Sequence, residues 1–69
     1  MTVEELLKLL ESEFVAYHKA ADDYREMREY HYKIGNYRTG LWYDLQRAKS
    51  EDDAIQIRKI INAIEKRVS

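Results

Sequence analysis

The chain contains no cysteine and no proline, and only two of its 69 residues are glycine. Without cysteine there can be no disulfide and no thiolate nucleophile or ligand. No apolar run approaches the ~18 residues of a membrane span; near the start of the chain, Leu6-Leu7-Lys8-Leu9-Leu10 is short and cut by Lys8. The first residues, Met1-Thr2-Val3-Glu4-Glu5, carry acids where a secretory signal needs bases. A cytoplasmic protein with no membrane association is expected.

Charge of one sign is also missing. Twelve bases stand against 13 acids, a formal net charge of −1. That balance argues against a global nucleic-acid binder or an acidic DNA mimic. The distribution is uneven, however. Residues 1–29 hold eight acids and four bases, and residues 51–69 hold four of each. Between them, residues 30–50 hold only Asp44 against Lys33, Arg38, Arg47 and Lys49.

A chain of this length forms at most one domain. It buries only about 60% of its unfolded surface and rarely gains more than roughly 3–5 kcal/mol from a single core. With disulfides excluded, association with a second copy is the expected source of further stability, and a homodimer is expected.

Helix formers dominate and strand-like alternation is absent, so the fold class is all-α. Thr2 and Glu5 have the spacing of a capping box, which starts a helix at Val3. Along that helix, Val3, Leu7, Leu10, Phe14, Tyr17, Ala21 and Tyr24 alternate by four and three, the spacing of a coiled-coil seam. His31 continues one row of it. A helix over residues 3–33 would be about 46 Å long. Gly35-Asn36 reads as its C-cap, since both residues tolerate the left-handed conformation.

A tight turn over 34–40 then leads to a second helix over 39–49, with Thr39 as cap and Leu41, Leu45 and Ala48 as its inward face. Ile57, Ile60, Ile61, Ile64 and Val68 form another apolar face, rotated about 150° from the first on a straight helix. Ser50-Glu51-Asp52-Asp53 has the pattern of an N-cap followed by first-turn acids. A break at Ser50 and a third helix over 51–68 are therefore expected. The shorter helices, or one kinked helix, would pack back on the first as a helical hairpin. Ile55 argues the other way, because it matches the Leu41 face as an unbroken helix serving two partners would require.

No chemistry of catalysis emerges. A di-iron bundle needs Glu three residues before His, but Val15 precedes His18 and Arg28 precedes His31 at that spacing. Gly35-Asn36-Tyr37-Arg38-Thr39-Gly40 lacks both the lysine and the preceding strand of a phosphate loop. The three serines, Ser12, Ser50 and Ser69, read as surface, cap and terminus. No enzymatic activity, metal or cofactor is expected. His31 reads as a core-edge histidine hydrogen-bonded to a tyrosine or the backbone.

Six of the eight aromatic residues fall within residues 24–43, the stretch that also carries most of the unbalanced positive charge. Tyr17 and Tyr24 belong to the seam. Tyr30, Tyr32, Tyr37, Arg38, Trp42 and Tyr43 form the candidate contact surface, because Tyr and Trp combine apolar bulk with a polar tip and dominate interface hot spots. The leading reading is a non-enzymatic interaction module, a small regulator or inhibitor of the bacterial or phage-encoded kind. It would bind and occlude another protein, with Arg38, Lys33 and Arg47 as a charged rim. Nucleic-acid binding through segment 30–49 is the second reading, with bases stacked on the aromatics. A structural subunit of a helical assembly, using the seam, is the third.

Overall fold

A computed structural model describes residues 1–68. Two helices, α1 (Val3–Lys33) and α2 (Tyr37–Val68), pack antiparallel as a hairpin measuring 51 × 15 × 14 Å. At the start of α1 the Thr2 hydroxyl oxygen accepts the Glu5 N–H at 3.1 Å. The same hydroxyl donates to Glu5 Oε1 at 3.1 Å, so the glutamate reaches back to the side chain of its cap and not to the backbone. Glu4 and Glu5 add negative charge to the first turn, where the helix dipole favours it.

The end of α1 is a Schellman motif. The Gly35 N–H donates to the Tyr32 carbonyl at 3.1 Å, and the Asn36 N–H donates to the His31 carbonyl at 2.8 Å. Gly35 supplies the required positive φ of 82°. The turn is shorter than the sequence predicts. The Asn36 carbonyl accepts the Gly40 N–H at 3.0 Å, so α2 is already running at Tyr37 and Thr39 lies inside its first turn. Gly40 is thus a helical residue, and its glycine identity has a packing cause. It is buried, and a Cβ there would overlap the ring of Tyr32.

The expected break at Ser50 is absent, and α2 runs through it as one helix. Ser50 does not cap a helix; its small side chain is buried. Arg47 donates to Glu51 Oε2 at 2.7 Å, an i,i+4 pair that holds only if the helix is continuous across residue 50.

The predicted inward face of the first half of α2 is also reversed. Ile57, Ile61 and Ile64 are shielded from solvent, and their rows continue toward the turn through Ala54, Ser50, Arg47 and Tyr43. Leu41 and Leu45 face outward, 53% and 60% exposed, and Ile55 is 51% exposed. The 150° offset is thereby resolved without a kink. One face of α2 is covered by α1, and the other is left open.

Little is buried between the helices. Ala21, Ala54 and Ile61 are the buried apolar residues, and Ile61 is the one large side chain wholly removed from solvent among the described residues. A fully buried isoleucine contributes about 1.5–3 kcal/mol, so the apolar interior of the hairpin alone is thin. The seam residues Leu7, Leu10, Phe14 and Tyr24 are half-buried, while Val3 and Tyr17 are exposed.

Candidate functional site

Residues seven apart lie on one row of a helix and consecutive residues lie about 100° apart, so His31 and Tyr32 straddle the line where α1 meets α2. That separation divides the aromatics. On one side, the His31 ring stacks on Tyr43, with centroids 5.3 Å apart and planes at 17°. Tyr30 meets His31 edge-on at 5.1 Å, Trp42 meets Tyr43 edge-on at 5.0 Å, and Tyr24 lies 6.2 Å from Tyr43. These five rings form one contiguous cluster with Tyr43 at its centre. Trp42 and Tyr30 are its open members, 52% and 56% exposed.

On the other side stand Tyr32 and Tyr37, with centroids 6.0 Å apart. Tyr32 is half-buried over Gly40, whereas Tyr37 is 69% exposed. The six residues predicted to form one contact surface therefore lie on two. Tyr30, Trp42 and Tyr43 share the cluster, and Tyr32 and Tyr37 share the opposite flank. Arg38 is exposed at the start of α2 and makes no ion pair among the described residues.

The Tyr32–Tyr37 flank continues down the hairpin as a chain of charges. Asp22 meets Arg25 at 3.4 Å, Arg25 meets Glu51 at 2.7 Å, and Glu51 meets Arg47 at 2.7 Å. Arg47 then meets Asp44 at 2.9 Å, Asp44 meets Arg28 at 2.7 Å, and Arg28 meets Glu29 at 2.7 Å. Seven alternating groups cross twice from one helix to the other. The Arg28 guanidinium, and after it that of Arg47, hold the Asp44 carboxyl below its ordinary range by donating hydrogen bonds to it. Hydrogen bonds to Asp44, and then to Glu29 or Glu51, keep both arginines more firmly charged.

This ladder is not among the expectations drawn from the sequence. Glu29 is held by Arg28, and Arg47, expected at a charged rim, is neutralised between Asp44 and Glu51. The row Tyr37, Asp44, Glu51, Arg58 at seven-residue spacing was a signal for the shared face. Its pairing with Arg25 and Arg28 depends on the hairpin register.

Below the ladder, Phe14, His18, Ala54, Ile55, Arg58 and Lys59 line a mainly apolar cleft of about 450 Å³. The Arg58 guanidinium lies 4.3 Å above the centre of the Phe14 ring, which is also 5.5 Å from His18. His31, expected to be hydrogen-bonded, is instead packed between two tyrosine rings, and its Nδ1 is buried without a hydrogen-bond partner. No three His, Asp or Glu side chains converge to hold a metal among the described residues, and neither helix is long and apolar enough to cross a membrane. No protein-family profile, characterised protein sequence or solved structure matches this chain.

Proposed function

We propose that this chain is a non-enzymatic protein-interaction module: a small helical regulator or inhibitor, itself dimeric, that occludes a partner protein with the aromatic cluster at its turn end. The observation that carries the reading is Trp42. Its ring is braced edge-on by Tyr43, which is held in turn by His31, yet half of it is open to solvent. A large aromatic held in place before binding loses little freedom when a partner covers it, which is the property of a hot-spot anchor. Tyr30 flanks it, and Arg38 and Lys33 carry the free positive charge of this end. Tyr37 and Tyr32 lie outside this anchor group.

The nucleic-acid reading is weakened by the ladder. Arg47 is occupied by two carboxylates, so only Lys33, Arg38 and Lys49 of the basic segment are left for phosphates. The test uses immobilised wild-type protein beside Trp42→Ala, with extracts applied at moderate salt. The reading predicts a partner retained by the wild type and lost from Trp42→Ala, with no shift of labelled DNA or RNA even at low salt. Equal retention by both proteins, or a shifted nucleic acid, would overturn it.

A further inference from the structure

The open face of α2 carries a pattern of its own. Leu41, Ala48 and Ile55 form one row at seven-residue spacing, and Leu45, Asp52 and Lys59 form the next. Interleaved, they alternate by four and three as a coiled-coil seam does. Leu41, Leu45 and Ile55 are each more than half exposed and Ala48 is half-buried, so α1 covers none of the four fully. Beside Ile55 and Lys59 opens the cleft over Phe14 and Ala54. The seam thus has protruding leucines toward the turn end and a hollow toward the other end.

We propose that this outer seam of α2 is the self-association surface, and that a second copy lies on it antiparallel about a two-fold axis level with Ser50. Residues equidistant from position 50 then meet. Leu45 packs on Ile55 of the second copy. Leu41 lies along the Lys59 stem of the second copy, at the mouth of its cleft. Ala48 faces Asp52, and its small side chain leaves room for that carboxylate to reach Lys49 of the second copy.

Charge decides the direction. In a parallel pair Asp52 would face Asp52 and Lys59 would face Lys59 inside the seam, and like charges so placed are destabilising. The antiparallel arrangement sets Asp52 beside Lys49 and brings Arg58 toward Asp44. An isologous contact of this kind closes on itself and makes a dimer and not a filament. The Trp42 cluster lies on a different face, so the dimer would present two such clusters.

The proposal rests on the dimer within the reading above, and the absence of native cysteine makes it directly testable. Leu45→Cys and Ile55→Cys chains are mixed, oxidised and run without reductant. Within one chain these positions are about 15 Å apart along the helix, too far for an internal disulfide. The geometry predicts a covalent dimer from the mixture, and little from either variant alone. Leu45→Glu should raise the concentration at which sedimentation shows half-dissociation by at least tenfold while helicity by circular dichroism is retained. A covalent dimer from Leu45→Cys alone would indicate a parallel seam and overturn the proposal. A dimer insensitive to Leu45→Glu would place the contact elsewhere while leaving the dimer itself intact. A monomeric wild type would remove both.

Discussion

At position 40 two effects of known size oppose each other. Replacing a mid-helix glycine by alanine ordinarily stabilises a helix by about 1 kcal/mol. Here the added methyl would collide with the Tyr32 ring, and overpacking of that kind costs about 1–3 kcal/mol. Gly40→Ala is therefore expected to lower the thermal midpoint, and the loss should shrink in a Tyr32→Leu background, where the ring is gone. A Gly40→Ala protein more stable than wild type would show that the ring yields easily. Gly35 is a different case, because nothing crowds its missing side chain and its cost lies in φ alone. Of the two, Gly35 was readable from the sequence as a C-cap. Gly40 was not, because the ring that requires it arrives from the other helix.

At the scale of the helices, α1 was readable to its ends because both carry local signals, the Thr2–Glu5 box and Gly35-Asn36. The course of α2 was not. Ser-Glu-Asp-Asp is as good a cap as any, judged locally, and only the contacts of Glu51 with Arg25 and Arg47 give those residues a role inside a helix. Backbone chemical shifts over residues 47–54 are expected to be uninterruptedly helical; a non-helical value at Ser50 would restore the break.

The ladder predicts a pH dependence whose sign follows from Asp44. Its carboxyl titrates lower folded than unfolded, so its contribution is present in full above the unfolded value. That contribution is lost as pH falls below about 4 through the folded one. The urea midpoint of wild type should therefore drop on acidification, and drop less in Asp44→Asn. Identical acid arms would mean the ladder contributes nothing, as many exposed ion pairs do.

For the molecule as a whole, the arrangement is a hairpin whose apolar content exceeds what it can enclose. The hairpin was legible in the sequence, but Leu41 and Leu45 were assigned to the inside. Which apolar face a helix turns inward is set by the small residues that permit close approach, here Gly40, Ser50 and Ala54, and by the ladder that fixes register. Neither is visible as a hydrophobic pattern. The aromatics around the turn were likewise drawn as one patch, because His31 and Tyr32 are neighbours in sequence yet face opposite flanks.

The central claim is that this hairpin is completed by another copy of itself. Anything that binds only the folded state makes stability depend on its concentration, and for a homodimer that ligand is the protein. The most direct measurement is the thermal unfolding midpoint of the wild-type chain across protein concentrations from about 1 to 100 times the lowest usable one. The account predicts a midpoint that climbs steadily with concentration, and a shallower climb for Leu45→Glu. A midpoint that stays constant over the whole range would mean that the hairpin folds alone with its apolar face bare, and would contradict it.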